Sequence, residues 1–331
     1  LLIIYGRRRV GKTELIKKFQ ENKEHIYYLC DKTGSEKNAW KMAKVISSFF
    51  KDVTPAIEHG FEDVFVYIKS RIGKKKIVIA LDEFPYLVEK DPAIPSLFQK
   101  IVDEVLSDTE AMLILCGSSM GMMYEHTISS KSPLYGRKRG FWEVRPFLFK
   151  DVCKFFPSLS LERVIEIFSV FGNVPAYLKE VNTTFSIKEN IKEKILKKGS
   201  PLYREPEILL LEEFREPSPY QNILEAMSEE AKLSKIANKA KIEAKDMPKY
   251  LKKLLQLSLI RKEQPITEKK TKKTLYFIED NLFYFWFRFC SKNLSFLEEG
   301  KEEFVFENYI EKHLPNLFAK GFESACKELL S

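Results

Sequence analysis

An eight-residue pattern near the start of the chain, G-x-x-x-x-G-K-T, constrains the fold more than any other feature. It is filled by Gly6, Gly11, Lys12 and Thr13, directly after an apolar run and directly before a helical pattern. In this strand, loop, helix context the motif forms a phosphate-binding loop. Glycines let successive backbone N–H groups come close to phosphates, at a helix N-terminus whose dipole favours negative charge. The pattern therefore predicts a P-loop that binds a nucleotide.

The roles of the loop residues follow from this chemistry. Lys12 would reach the β- and γ-phosphates, and the Thr13 hydroxyl would ligate Mg²⁺. The predicted nucleotide-binding residues of the loop are Gly6, Arg7, Arg8, Arg9, Val10, Gly11, Lys12, Thr13 and Glu14. The alternative is a glycine-bearing turn without a ligand, since a match of this length also arises by chance in a long chain.

Composition narrows the classes of protein to consider. With 331 residues and 44% apolar content, the chain is long enough for two or three domains and is not a disordered protein. No apolar run approaches the roughly 20 residues of a membrane span, and no signal peptide is visible. We therefore expect a cytoplasmic protein without a membrane partner. Five widely spaced cysteines and only four histidines argue against a zinc site or a disulfide framework.

Positive charge is concentrated in one segment. The whole chain has a formal charge of +8, whereas residues 231–273 hold 14 lysines and arginines against four acidic residues, a net charge of +10. The basicity is therefore a local surface, of the kind that contacts a polyanion.

The first half of the chain alternates strand-like runs with helical patterns, which predicts an α/β fold with a parallel sheet covered by helices. Strands are predicted at residues 1–5, 25–30, 77–81, 112–116 and 141–144. Helices are predicted near residues 13–20, 36–50, 61–72 and 94–106. From Pro146 to about Lys198 the pattern becomes wholly helical.

A pair of acidic residues follows the third predicted strand. Asp82 and Glu83 come directly after the continuous apolar run 77–81, which is typical of a strand buried on both faces. Ligands of open α/β sheets bind at the carboxyl edge of the strands. We therefore predict that Asp82 holds Mg²⁺, directly or through a water, and that Glu83 is the base that polarises the attacking water. The alternative is that the two acids only begin a loop.

Two further polar groups are candidates for the same site. Ser118 follows the neighbouring strand and would hydrogen-bond the γ-phosphate or the water, although a helix N-cap role explains it equally well. Arg137 is the candidate for a guanidinium that stabilises charge in the transition state, with Arg139 and Arg145 less favoured. An arginine from a neighbouring subunit of a homo-oligomer is the alternative to Arg137.

Taken together, these motifs resemble one family, the archaeal P-loop ATPases of the AAA+/STAND lineage. The likeness extends over nearly the whole chain. Its motifs are G-x-R-R-x-G-K-T (residues 6–13), Asp82-Glu83, Gly117-Ser118 followed by Met120-Gly121, S-P-L-Y-G-R (132–137) and G-x-x-P-x-Y-L (172–178).

The resemblance implies an additional-strand P-loop NTPase sheet, followed by a helical lid and a winged-helix domain. It places Pro175, in the G-x-x-P turn, near the adenine, although a proline that starts a helix needs no nucleotide to explain it. Asn173 departs from the family pattern, where a second glycine is common. The segment that precedes the first strand in the family and helps to hold the base is not represented here. The domains expected are a P-loop ATPase core (1–145), a helical lid (146–200), a winged helix (201–280) and an incomplete C-terminal domain (281–331).

The basic segment itself has the pattern of a winged helix. A short helix over 233–240 is followed by a turn and by a helix that Asp246 caps, with an apolar stripe that includes Met247, Leu251 and Leu254. Strands around 259–265 and 274–278 flank a lysine-rich tip. The predicted DNA contacts are Lys245, Lys249, Lys252 and Lys253 on the helix and Lys269, Lys270, Lys272 and Lys273 at the tip. Arginine is nearly absent, so contact with the backbone of double-stranded DNA is favoured over base readout. A protein-docking or lid domain with solvated lysines is the alternative.

After the wing, the run "LFYFWFRF" is too aromatic for a solvent-facing helix and is expected to be buried. The resemblance makes this the start of a domain of unknown function that is suspected of a PD-(D/E)xK nuclease fold, but the metal-binding strands of such a nuclease do not follow. Three functions remain open at this point. They are a Mg²⁺-dependent ATPase that acts with DNA, an ADP-locked regulatory switch that binds a protein partner, and an ATPase that regulates a nuclease.

Overall fold

Five parallel strands form the sheet of the first of two units, Leu1–Arg145 and Pro146–Ser331, in the computed structural model of the chain, which describes residues 1–137, 139–264 and 274–330. The strands are β1 (Leu2–Tyr5), β2 (His25–Leu29), β3 (Ile77–Asp82), β4 (Ala111–Gly117) and β5 (Gly140–Glu143). Their order in the sheet is β2-β3-β4-β1-β5. One strand, β4, therefore lies between β1 and β3, as the additional-strand P-loop fold requires.

Strand β3 shows why the sequence folds in this way. All six of its residues are buried, because β2 and β4 flank it and helices cover both faces. Parallel pairing brings the carboxyl ends of the strands to one edge of the sheet, so that Asp82 ends β3 where Gly117 ends β4. The predicted strands agree with the observed ones to within one residue at each end.

The two faces of the sheet carry different helices. On one face, Ile16 of the first helix packs against a small cluster that includes Ile4, Ala80, Ile114 and Cys116. The opposite face holds a much larger core to which the second and third helices contribute. The helices of this unit are α1 (Lys12–Gln20), α2 (Ser35–Phe50), α3 (Phe61–Ile72), α4 (Pro85–Lys90), α5 (Ile94–Lys100) and α6 (Met120–Met123). Single π-helical turns extend α5 over Ile101–Val105 and α6 over Tyr124–Ile128.

The second unit is mostly helical. Its helices are α7 (Phe149–Phe155), α8 (Leu161–Phe171), α9 (Pro175–Leu178), α10 (Ile187–Ile191), α11 (Glu205–Glu213), α12 (Ser218–Met227), α13 (Leu233–Ala240), α14 (Met247–Gln256), α15 (Asn281–Phe285), α16 (Leu294–Glu298), α17 (Glu302–Val305) and α18 (Leu314–Leu330). π-Helical turns lie at Lys192–Leu196, Trp286–Cys290 and Phe306–Ile310, and 3₁₀ turns at Ser291–Asn293 and Glu311–His313. Helices α8 and α18 approach closely, because a Cβ added to Gly321 would lie 1.9 Å from Ser169 Oγ.

Two antiparallel strands, β6 (Ile260–Glu263) and β7 (Leu275–Ile278), follow α14, and an isolated bridge joins Lys232 to Leu275. Asp246 occupies the N-cap position of α14, as predicted, but its side chain does not make the capping hydrogen bond that this position allows. Its carboxylate instead accepts a hydrogen bond from Lys249 Nζ at 3.4 Å.

The aromatic run between 281 and 290 is buried, as its composition predicts. Phe283, Phe285, Trp286, Phe287 and Phe289 are each at most 4% exposed. Trp286 Nε1 donates to the carbonyl of Tyr203 at 2.7 Å, which satisfies the buried indole N–H. Within the described residues, no helix is both long enough and apolar enough to cross a membrane.

Candidate functional site

The loop between β1 and α1 has a backbone that only glycine permits at two positions. A Cβ on Gly6 would lie 2.2 Å from the carbonyl oxygen of Val144. Gly11, the N-cap residue of α1, has φ +93° and ψ +20°, in the left-handed region. Both glycines of the sequence motif are therefore fixed by geometry, one by the close approach of a neighbouring chain segment and the other by its dihedral angles.

The Lys12 ammonium group lies against the loop itself. Its Nζ donates hydrogen bonds to the carbonyl oxygens of Gly6, at 2.8 Å, and Arg7, at 2.9 Å, and the residue is only 6% exposed. A buried cation held by two carbonyls at the N-terminus of a helix makes the centre of the loop electropositive. Such a surface suits a phosphate group.

Thr13 and Asp82, which lie 69 positions apart in sequence, are in direct contact. Thr13 Oγ1 donates to Asp82 Oδ2 at 2.6 Å, and Asp82 Oδ1 accepts from the backbone N–H of Glu83 at 3.0 Å. Asp82 is 1% exposed. The structure thus joins the two groups that the sequence assigned to one magnesium site.

The side-chain oxygen atoms of Thr13 and Asp82 are suitable ligands for Mg²⁺. A hydroxyl and a carboxylate are hard oxygen ligands, and Mg²⁺ is usually held by one or two carboxylates together with phosphate oxygens and water. Within the described residues there is no group of three or more His, Cys, Asp or Glu side chains that could hold a metal ion.

A tyrosine that the sequence analysis missed also contacts Asp82. Tyr27, on β2, donates from its hydroxyl to Asp82 Oδ2 at 2.8 Å. Burial raises the pKa of the Tyr27 phenol, and the negative charge of Asp82 raises it further, so the group stays protonated and acts as the donor. Burial also raises the pKa of the neighbouring Cys116 thiol, which stays neutral. The alternation of side chains along β2 was the available signal, because it places Tyr27 on the α1 face of the sheet.

Glu83 has an unusual backbone conformation and a defined partner. Its φ of +54° lies in the left-handed region, which costs a non-glycine residue of the order of 1 kcal/mol. Its Oε2 accepts hydrogen bonds from Ser118 Oγ at 2.9 Å and from Ser118 N at 3.4 Å. The N-cap residue of α6 is Ser119 rather than Ser118. The Ser118 hydroxyl therefore donates to Glu83 and does not cap the helix.

The remaining loop residues have varied surroundings. Arg7 and Val10 are each 3% exposed, whereas Glu14 lies on the exposed side of α1 and pairs with Lys17 at 3.6 Å. Arg8 Nη2 donates to the hydroxyl of Tyr86 at 3.0 Å, which links the loop to α4. Arg9 has φ +71°.

The three arginines that follow β4 differ in their partners. Arg137 Nε donates to Asp103 Oδ2 at 2.8 Å, and its Nη1 donates to the carbonyls of Pro133 and Tyr135. Arg145 pairs with Glu143 at 2.6 Å, and Arg139 is exposed. A role for Arg137 at a phosphate, which would require release from Asp103, remains a prediction.

Pro175 lies in the second unit, where it is the first residue of α9. The preceding turn places Gly172 at φ +75°. Asn173 Nδ2 donates to the carbonyl of Phe147 at 2.6 Å, so this side chain ties the turn to the segment before α7. The asparagine at the position where the family commonly has glycine thus has a structural role here, and the adenine contact of Pro175 remains a prediction.

The lysines predicted to contact DNA fall into two groups. Lys245, Lys249, Lys252 and Lys253 are exposed in or just before α14. Lys245 pairs with Glu243 and Lys249 with Asp246. The other four, Lys269, Lys270, Lys272 and Lys273, lie outside the described residues.

Comparison with known proteins gives two family matches and one long relative. Residues 1–181 match a family described as an ATPase domain predominantly from Archaea, and residues 286–331 match a family of archaeal and bacterial proteins of unknown function. An uncharacterized protein of Methanocaldococcus jannaschii is 40% identical over 332 residues, which is 99% of this chain and 72% of that protein. An uncharacterized ATP-binding protein of the same organism is 79% identical over 24 residues, 7% of this chain and 41% of its own length.

Solved structures show the same fold at low sequence identity. A Walker-type ATPase of Pyrococcus abyssi aligns with a TM-score of 0.57 at 21% identity, over 87% of this chain and 91% of that one. The ORC2 protein of Aeropyrum pernix, solved in ADPNP–ADP complexes, aligns with a TM-score of 0.55 at 13% identity, over 93% of this chain and 89% of that one.

Proposed function

The chain belongs to the archaeal family of P-loop ATPases, and on that premise we propose that it binds Mg²⁺ and ATP on the Gly6–Thr13 loop and hydrolyses the ATP. A single observation carries this proposal, the 2.6 Å hydrogen bond between Thr13 and Asp82 at the carboxyl edge of the sheet. That bond places the hydroxyl that ends the loop and the acid that ends β3 at the same point, where a magnesium triphosphate requires both.

Each side chain of the site has a defined task in this proposal. Lys12, now held by loop carbonyls, would transfer its hydrogen bonds to the β- and γ-phosphates of the nucleotide. Thr13 and Asp82 would hold Mg²⁺, which supplies positive charge to the phosphate oxygens when bound. Glu83 would accept the proton of the attacking water, and Ser118 fixes the orientation of the Glu83 carboxylate.

We extend the proposal to the second unit. Residues 146–200 would act as a lid that carries Pro175, and residues 201–280 as a winged helix. The helices α12, α13 and α14, the β6-β7 pair and the bridge from Lys232 to Leu275 support the winged helix, because they occur in the order that such a domain has. The exposed lysines of α14 would contact the backbone of double-stranded DNA.

Replacement of Glu83 tests the hydrolytic part of the proposal. In Glu83→Gln the side chain keeps an oxygen that can accept from Ser118 but can no longer take a proton. We expect ATP hydrolysis to fall by about a hundredfold or more, the usual contribution of a general base, while ATP binding persists. Phosphate release, measured with and without duplex DNA, gives the rate of ATP hydrolysis. Calorimetry gives the affinity for ATP.

Glu89→Gln is the matched control. Glu89 lies on α4 only six positions away, is 46% exposed and pairs with Lys32 at 3.4 Å, so its loss should leave hydrolysis unchanged. If this control turns ATP over steadily and Glu83→Gln hydrolyses ATP equally fast, Glu83 is not the base.

A second function is favoured by the contact between Glu83 and Ser118. In this second proposal the contact with Ser118 holds the Glu83 carboxylate away from the attacking water, so that the site acts as a slow switch that retains ADP. In that case nucleotide released from the denatured purified protein would be ADP, and wild-type turnover would not exceed that of Glu83→Gln.

A further inference from the structure

The carboxylate of Asp82 is held by donors from two different elements. Thr13, in the first turn of α1, and Tyr27, on β2, both donate to the same oxygen, Oδ2, at 2.6 and 2.8 Å. The other oxygen accepts from the backbone N–H of Glu83. At 1% exposure, Asp82 is shielded from water, so protein donors such as these supply the hydrogen bonds that its carboxylate needs.

The position of Tyr27 in the sheet explains how it reaches this carboxylate. Strand β2 is at the edge of the sheet and pairs with β3, with Tyr27 opposite Ala80, two residues before Asp82. The Tyr27 side chain packs on the α1 face, against the cluster that contains Ala80 and Cys116. A long, rigid side chain on that face runs along the sheet and delivers its hydroxyl to the end of the next strand.

We infer that Tyr27 is a positioning residue of the magnesium–nucleotide site, whose phenol holds the Asp82 carboxylate against Thr13. The inference rests on the proposed function, because it gives Asp82 and Thr13 their roles toward Mg²⁺. Tyr27 itself ligates nothing. It fixes the side-chain torsion of Asp82, so that the carboxylate meets the Thr13 hydroxyl instead of turning away from it.

The choice of tyrosine matters for this role. A phenylalanine at position 27 would fill nearly the same volume but would remove the hydrogen bond that Oδ2 accepts from the phenol. Hydrogen bonds from side chains that do not themselves touch the metal orient ligand carboxylates, and their removal typically lowers metal affinity by about 10- to 100-fold. The predicted defect is therefore in the magnesium-dependent part of nucleotide binding and not in nucleotide binding as a whole.

The test compares nucleotide affinity with and without the metal. The Kd of a non-hydrolysable ATP analogue is measured by calorimetry in Mg²⁺ and in EDTA, for the wild type and for Tyr27→Phe. We expect the ratio of Kd in EDTA to Kd in Mg²⁺ to be lower in Tyr27→Phe by about tenfold, at the smaller end of the range for such contacts. The Kd in EDTA should be unchanged, because Lys12 and the loop amides are untouched.

Tyr28→Phe is the matched control. Tyr28 is the next residue, its side chain belongs to the core on the opposite face of the sheet, and its hydroxyl donates to Asn38 Oδ1 at 2.8 Å. Tyr28→Phe removes a phenolic hydroxyl from the same strand as Tyr27→Phe, so a general loss of stability in β2 should affect both variants alike. The Mg²⁺ ratio of Tyr28→Phe should match that of the wild type.

Several results would overturn the inference. A Tyr27→Phe ratio equal to the wild-type ratio, or a higher one, would show that the phenol does not position Asp82 for Mg²⁺. Equal weakening in Mg²⁺ and in EDTA, or the same defect in Tyr28→Phe, would assign Tyr27 a purely structural role. If the wild type bound the analogue with no benefit from Mg²⁺, both this inference and the magnesium part of the proposed function would fail. If it bound no nucleotide at all, the proposed function itself would be wrong.

Discussion

Asp31, in the loop that follows β2, is the centre of a small charged network. Its carboxylate accepts hydrogen bonds from Lys41 Nζ, from Thr33 Oγ1 and, at 2.9 Å, from Thr33 N. Lys41 first, and then Thr33, hold the pKa of Asp31 well below its ordinary value of 3.8. The unfolded chain therefore binds this proton more readily than the folded one. The resulting contribution to stability is complete above the unfolded-state pKa and is lost as the pH falls through the lower, folded-state pKa.

This network predicts a pH-dependent effect of one substitution. Asp31→Asn should lower the urea midpoint of unfolding at pH 7, and its difference from the wild type should shrink as the pH falls below about 4, where the unfolded-state carboxylate takes up its proton. Unfolding curves across this range measure the difference. Glu24→Gln, at an exposed residue, should show little effect at either pH. A difference between Asp31→Asn and the wild type that stays constant down to pH 3 would contradict the assignment.

At the level of single residues, sequence reasoning placed Thr13 and Asp82 in one site because motif spacing and strand ends are local features. It did not find Tyr27, since a tyrosine in an apolar strand has no motif and is equally explained by packing. It also could not foresee the left-handed backbone of Glu83, because that conformation follows from how the chain leaves β3 and turns into α4.

Helix α14 has the charge distribution that its sequence predicts. Met247, Leu251 and Leu254 are buried, and Lys252 and Lys253 are exposed on the other side. Lys245 and Lys249 have acidic neighbours in sequence that pair with them, whereas no ion pair joins Lys252 or Lys253 to another residue of the described ranges. Among the described lysines of this helix, these two are therefore the best placed to meet phosphates.

A prediction about DNA binding concerns these two lysines. If α14 contacts a DNA backbone, replacing both Lys252 and Lys253 with Ala should weaken binding at all sequences alike and reduce the slope of log Kd against log salt by about two, one for each phosphate contact. Fluorescence anisotropy with duplex DNA over a salt series measures this slope. The control is replacement of Lys74 and Lys75, an exposed pair in the first unit, with Ala. An unchanged slope in the α14 variant would remove this helix from the DNA interface.

Most boundaries of helices and strands could be predicted from local sequence patterns, and the departures from those predictions have physical causes. Helix α13 begins and ends where its apolar spacing predicts. Asp246 lies at the expected N-cap position of α14, but its φ of −90° and ψ of −19° are close to helical values. Its side chain therefore lies beside Lys249 and does not accept from the free backbone N–H groups of the first turn.

On the scale of the whole molecule, the existence of the five strands could be predicted from apolar runs, but their order could not. Order depends on where each crossover returns to the sheet, which no single segment encodes. The resemblance to additional-strand ATPases implied the strand order, and the observed order β2-β3-β4-β1-β5 agrees with it. The division of residues 146–331 into a lid, a winged helix and a C-terminal domain remains a prediction.

The strand order also decides when the sheet can form during synthesis. β1 is the first of the five strands to be made, yet its neighbours are the last two, since Leu2 pairs with Ile114 and with Gly140. At about 5–20 residues per second, the ribosome needs on the order of ten seconds to deliver them. Stalled nascent chains should therefore leave β1 open to protease until β4 has left the exit tunnel, and early protection of β1 would contradict this. Until then, the strand that leads into the phosphate loop is an unpaired apolar segment that a chaperone could bind.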